Sequence, residues 1–234
     1  MLVSNQEAEL ATCCKQIQTL YAVTCLPLCA DLSQPDAAKE LYTYCLQHEI
    51  QVDILVNNAG ILLYSEVTAA PPERVQLILQ LHIHTPVLLC RYFGAAMQER
   101  RFGKILNISS ISAVMPYPGI SLYGPTKTML RYFSRALRAE MQAYQVVVTC
   151  VLPGATAKAL YDPNVVNVKL GKKLGIMQTP EFVARKSIQA LMKNRAECIP
   201  GLLNKLTVLF IPLVPMTLIT WIHNRVGILT KKDK

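Results

Sequence analysis

The feature that most constrains this chain is a regular alternation of apolar, strand-like runs with amphipathic stretches of helix length. Strand signals fall at Ala22 to Cys29, Ile54 to Val56, Lys104 to Ile108 and the β-branched run Val146 to Val151. Helical spacing occupies 5 to 20, Pro35 to Glu49, Pro72 to Arg101 and Tyr123 to Ala143. Repeated βα units with apolar strands predict a parallel sheet covered by helices on both sides and joined by right-handed crossovers. Pro35, shortly after Ser33, marks a helix start with Ser33 or Gln34 near the cap, and Leu41, Tyr44, Cys45 and His48 recur on one helical face. Thr85-Pro86 is expected to interrupt the long stretch from Pro72 to Arg101. A length of 234 residues fits one domain, and 52% hydrophobic against 17% charged residues suits a sheet buried on both faces or a partly membrane-facing protein.

The net charge of +9 is spread over helical segments instead of forming one basic block, so most Lys and Arg read as solvated faces. No basic patch interleaved with aromatics appears, which argues against nucleic acid as a partner. Eight cysteines, with Cys13 and Cys14 adjacent and no CxxC pair, read as reduced structural thiols and not as a zinc site. No charged segment followed by an apolar one opens the chain, so a cytoplasmic location is expected. Leu206 to Ile222 carries no charge, but Pro212 and Pro215 break it. Two short helices covering the substrate side, or an amphipathic hairpin resting on a membrane, fit this tail better than one spanning helix. Lys231, Lys232 and Lys234 suit either anionic headgroups or a solvated terminus.

The chemistry is concentrated at the ends of strands. Asn107-Ile108-Ser109-Ser110 closes one strand, and Tyr123 and Lys127 follow at i and i+4 on one helical face. An ammonium beside a phenol favours the phenolate and makes tyrosine usable as an acid/base. A serine hydroxyl at the neighbouring strand end can donate to a carbonyl oxygen while tyrosine exchanges its proton. Tyr and Lys at this spacing also occur by chance as groove lining. What adds weight is Asn57-Asn58-Ala59-Gly60 directly after a strand, where small residues let the backbone turn tightly against a planar ligand.

With Asp53 before that string, Asp31 after the preceding strand and Pro153-Gly154 after a later one, the chain resembles the short-chain dehydrogenase/reductase family from Leu2 to about Ile199. The resemblance implies a Rossmann-like doubly wound α/β domain over 1–199, with 200–234 as an apolar helical tail. It implies Tyr123 as general acid/base, Lys127 as the residue that binds the nicotinamide ribose and tunes Tyr123, and Ser110 as the substrate-orienting hydroxyl. It places Asp31 beside the adenine, Asn57, Ala59 and Gly60 beside the adenosine ribose, and Pro153, Gly154 and Thr156 beside the nicotinamide. His82 stands where the family usually has an asparagine that holds a relay water; an imidazole suits that task, and the alternative is a helix histidine satisfied by a backbone carbonyl. The ending Pro200-Gly201-Leu202-Leu203-Asn204-Lys205-Leu206 looks like steroid and long-chain ketoacyl reductases, which implies a lipophilic substrate and favours NADP over NAD. Homo-oligomers built on the helices around Pro72 to Arg101 and Tyr123 are implied in the same way.

One departure from the family pattern is large. Met1-Leu2-Val3 already resembles the family's second strand, so the first strand, its TGxxxGxG turn and the first helix, which receive the pyrophosphate, are not expected in this chain. The string Gly171 to Gly175, GKKLG, is not a substitute, because it follows the catalytic residues. Two expectations follow: a piece of a longer enzyme, or a catalytically silent binding or membrane-associated protein.

Overall fold

The computed structural model describes residues 1–156 and 177–226. Gly171 to Gly175, Lys231, Lys232 and Lys234 lie outside the described residues. The order is β1 (Leu2–Ser4), α1 (Glu7–Tyr21), β2 (Pro27–Cys29), α2 (Ala37–Gln47), β3 (Ile54–Asn57), α3 (Pro72–Leu79), α4 (Thr85–Glu99), β4 (Gly103–Ile108), α5 (Tyr123–Gln142), β5 (Val146–Val151), α6 (Pro180–Met192), β6 (Glu197–Cys198), α7 (Leu202–Phe210) and α8 (Met216–Val226).

All strand pairings are parallel, in two ladders: β1 with β2, and β3-β4-β5-β6 in that order. The register sets Asn57 beside Asn107 and Asn107 beside Cys150, so the chemistry-bearing strand ends finish at one level. Two apolar layers sandwich the central strands, as side-chain alternation in a strand requires. Ile105, Val146 and Val148 face a core built with Leu41 and Cys45 of α2, Leu89 and Phe93 of α4, and Leu137 and Met141 of α5. Leu106 and Val151 face the opposite layer with Leu191 of α6. Val3 of β1 and Leu28 of β2 pack against the first core, so both ladders rest on the same helices although no strand links them among the described residues. Ile54 and Val56 of β3 are exposed.

Three sequence expectations are corrected. Ala22 to Leu26 is not strand: α1 runs to Tyr21 and ends on Ala22 in the left-handed conformation, φ 50°, and pairing begins only at Pro27–Cys29. The residue before α2 is Asp36, and Ser33 instead donates its hydroxyl to Asp31. Thr85-Pro86 does not break the long helix. A single π-helical turn, Gln80–His84, joins α3 to α4, and Pro86 falls in the first turn of α4. The wider turn absorbs the proline's missing N–H and swings His82 inward.

The tail forms α7, a 3-10 turn at Ile211–Leu213, and α8, with a bend of 116° between the two helical arms. Among the described residues no single helix is long and apolar enough to cross a membrane.

Ile105 is fully buried between β4's neighbours and α4 and α5. Ile105→Ala is expected to lower unfolding free energy by about 3 kcal/mol, read from urea melts followed by circular dichroism.

Candidate active site

Tyr123 opens α5, and Lys127 sits one turn further along. The start of α5 is clamped to the strand end by short contacts. Thr128 Oγ1 donates to Ala113 O at 2.8 Å, and Ser109 Oγ donates to Lys127 O at 2.7 Å. A Cβ on Gly124 would come within 3.3 Å of Ser112 O, so only glycine lets the helix approach so closely without the turn giving way. Ser110 has extended backbone and starts the 3-10 turn Ile111–Val114; its Oγ accepts the Ser112 N–H at 3.1 Å, which leaves its own proton to donate.

Lys127 is 5% exposed. Its Nζ donates to Ile108 O at 3.1 Å and lies 5.7 Å from the centroid of the Tyr123 ring. Burial lowers its pKa from 10.5 to about 8, because an ammonium loses hydration there.

His82 is 1% exposed and meets the Tyr123 ring edge-on at 5.6 Å. Nε2 accepts the Ile61 N–H at 3.0 Å, so the proton of the neutral ring is on Nδ1, which donates to Thr126 Oγ1 at 2.9 Å. Thr126 in turn donates to Tyr123 O at 2.8 Å. Burial, and then the Lys127 charge, push the His82 pKa down to about 3, so the imidazole is neutral near pH 7. Both ring nitrogens are thus occupied in tying the loop after β3 to the first turn of α5.

Around this centre the other expected residues divide into groups. Asn57 donates Nδ2 to Asn107 Oδ1 at 2.8 Å, and Asn107 donates to Ser134 Oγ at 2.9 Å. Asn57 Oδ1 is buried with no hydrogen-bond partner among the described residues. Ala59 and Gly60 are exposed on the loop beyond it, and a Cβ on Gly60 would lie 2.9 Å from His82 Nε2 and 3.5 Å from Lys127 Nζ. Pro153 and Gly154 follow β5; Pro153 O accepts the Ile111 N–H at 3.0 Å, and Thr156 Oγ1 donates to Gly154 O at 3.1 Å. Asp31 stands apart in the turn after β2, where hydrogen bonds from Gln34 and Ser33 hold its carboxyl below the ordinary carboxylate range.

The unpartnered Asn57 oxygen, the side-chain-free approach at Gly60 and the spare Nζ donors of Lys127 fit the hydroxyl-bearing sugars of a dinucleotide. The described residues offer no glycine-rich strand-to-helix turn for a pyrophosphate, and the first turn of α1 carries Glu7 and Glu9, which repel phosphate.

Sequence reasoning missed Ile61, Thr126 and Asn204 as parts of the site. Asn204 is buried on α7 against Gly154 and donates to Pro200 O at 2.8 Å. An amide inside the apolar string Leu202 to Phe210 was its signal.

The model of a family described as short chain dehydrogenase matches residues 1–165. The chain belongs to the short-chain dehydrogenase family. Within that family it is 30% identical over 176 residues to dehydrogenase/reductase SDR family member 7B of Bos taurus, covering 72% of this chain and 54% of that protein. It is 30% identical over 157 residues to very-long-chain 3-oxoacyl-CoA reductase-A of Danio rerio, covering 65% and 49%. The chain thus spans about half the length of these curated relatives. Among solved short-chain dehydrogenases, the structure resembles a 7beta-hydroxysteroid dehydrogenase with TM-score 0.80 at 21% identity, over 89% of this chain and 80% of that one. It resembles a Sphingobium yanoikuyae enzyme in complex with NADPH with TM-score 0.77 at 20% identity, over 100% and 86%. These likenesses establish the Rossmann-like α/β fold.

The neutral His82 has a consequence for stability. Between pH 6.5 and 3 the unfolded chain takes up a proton at this position that the folded chain refuses, so stability falls as pH drops through that window. Wild type is expected to lose about 1.4 kcal/mol more per pH unit below 6.5 than His82→Asn, measured by urea unfolding at stepped pH.

Proposed function

We propose that this chain carries the catalytic face of an NAD(P)-dependent oxidoreductase that interconverts a carbonyl and an alcohol on a small lipophilic substrate. The observation that supports this most is the buried Lys127 ammonium between Ile108 O and the Tyr123 ring. With a pKa near 8, Lys127 is about nine-tenths protonated at pH 7, and its charge in a weakly hydrated site favours release of the phenolic proton. In reduction, Tyr123 gives its O–H proton to the substrate oxygen while Ser110 donates to the same oxygen and orients the carbonyl. In oxidation the proton returns to Tyr123. A nicotinamide cofactor, when bound, supplies or accepts the hydride.

Lys127 also holds the ribose, and His82 acts as a positioning residue through Ile61 and Thr126. In this reading Asp31, Asn57, Ala59 and Gly60 receive the adenosine half, and Pro153, Gly154 and Thr156 the nicotinamide. NADP is the proposed cofactor, with NAD as the alternative. Ser4 and Asn5, at the end of β1, carry no carboxylate to repel a 2′-phosphate, and a neighbour of the same fold was solved with NADPH.

A lipophilic substrate is supported by the apolar α7–α8 tail beside the site and by the names of two similar proteins, a very-long-chain 3-oxoacyl-CoA reductase and a 7beta-hydroxysteroid dehydrogenase. A cytoplasmic location, with peripheral membrane contact through the tail, agrees with eight free cysteines. Homo-oligomers through α4 and α5 belong to the same reading, supported by the exposed Tyr132 on α5. A second reading, a catalytically silent membrane-associated binding protein, is favoured by the exposed apolar residues of the tail.

In a form extended upstream in the same reading frame, Tyr123→Phe is expected to leave NADPH affinity within about twofold while cutting turnover of a lipophilic ketone by roughly a hundredfold to ten-thousandfold. Unchanged turnover removes Tyr123 from the chemistry. In a fluorescence titration with NADPH and NADH, uptake only by a form extended upstream in the same reading frame assigns the chain to a longer enzyme, and uptake by neither form favours the silent reading.

A further inference from the structure

The tail has two unlike faces. Its inner side is fixed to the domain: Ile219 is 5% exposed, Asn204 is buried against Gly154, and the His223 ring meets Tyr117 edge-on at 5.4 Å. Tyr117 lies in the segment between Ser110 and Tyr123. His223 Nδ1 and the Tyr64 hydroxyl are buried with no hydrogen-bond partner among the described residues, open polar atoms of the kind a bound ligand satisfies.

The outer side is apolar and, among the described residues, uncovered. Leu209, Phe210, Leu213, Leu218 and Trp221 project to solvent, with Leu213 76% and Trp221 56% exposed. Because the inner side is anchored, these exposed apolar side chains are held in place by the fold, and apolar residues grouped on one element mark an interaction surface.

Charge selects what covers that surface. From Cys198 to Lys232 the sequence holds no Asp or Glu, while Lys205 and Arg225 flank the apolar face. The Arg225 guanidinium lies over the Trp221 ring, 5.3 Å from its centroid. A tryptophan beside basic groups is the composition of a bilayer interface. A second copy of the chain would bring like charges together, whereas anionic headgroups neutralise them. Pro212 and Pro215 and the 116° bend leave neither arm alone long enough to span, a geometry that suits an element in the interface plane.

We propose that α7 and α8 form a docking hairpin for an anionic lipid bilayer, placing the substrate end of the site against the membrane. Docking stands independently of the catalytic reading; only the delivery of substrate from the bilayer rests on it.

Trp221 is the single tryptophan, so its emission reports on this face alone. The full chain is mixed with phosphatidylcholine vesicles, with and without phosphatidylserine, and followed by Trp emission and co-sedimentation. A blue shift and sedimentation are expected with phosphatidylserine, weakened by added salt. Leu209→Glu with Leu213→Glu, both at exposed positions, should keep the circular dichroism and thermal melt of wild type and lose roughly tenfold in partitioning. Tyr123→Phe should bind vesicles as wild type does, so a catalytic failure and a docking failure are told apart. The proposal is overturned if Trp emission and sedimentation do not respond to vesicles. It is equally overturned if the shift appears without lipid and grows with protein concentration, which assigns the face to a second copy. Binding indifferent to phosphatidylserine and salt overturns the anionic requirement.

Discussion

A lysine ammonium at 5% exposure makes demands on everything around it. Removing that charge from water is costly, and the cost shows in a pKa lowered to about 8. The fold meets the demand with a carbonyl at a strand end, Ile108 O, and an aromatic face, Tyr123, while Ser109 fastens the Lys127 carbonyl to the same strand. These contacts fix where α5 starts relative to β4. That in turn fixes the distance between the phenol of Tyr123 and the hydroxyl-bearing turn at Ser110. The charge also reaches His82, whose protonation is suppressed partly by Lys127. Structure and chemistry at this site are therefore one electrostatic arrangement.

A second constraint ties that arrangement to the sheet. Asn57, Asn107 and Ser134 form a buried polar chain across β3, β4 and α5. In a low-dielectric interior these two hydrogen bonds form only in one alignment of the strands, so they specify register, while Asn57 Oδ1 stays open for a ligand. Register is what sets Asn57 beside Asn107 and brings Gly60 over Lys127. The two ladders share one helical layer, so the site depends on β3, β4 and β5 more than on β1 and β2.

Much of this was legible in the sequence because it is local. The i, i+4 spacing of Tyr123 and Lys127, the β-branched Val146–Val151 and the small residues after Ile54–Asn57 each state a backbone geometry without outside help. What was not legible depends on partners far along the chain. The His82 ring is held by an amide 21 residues earlier and a hydroxyl 44 residues later, and no periodicity encodes that pairing. The π turn at Gln80–His84 was hidden for a related reason. Proline ordinarily signals a break, and only packing of the residues on either side shows that the ladder widens instead. The strand expected from Ala22 begins only at Pro27, because Ala22 is spent in capping α1 in the left-handed conformation and the next residues form the link to β2. Asp31 was found as a turn residue whose carboxylate is already engaged by Ser33 and Gln34, which composition alone does not reveal.

The account turns on Lys127 carrying a buried charge beside Tyr123, and the direct measurement is its ionisation. A carbon-detected NMR titration of lysine labelled at Cε, with the Lys127 signal assigned by its loss in Lys127→Arg, should show one lysine titrating near pH 8. A Lys127 signal that titrates with the other lysines, near 10.5, contradicts the buried arrangement and the acid/base role built on it.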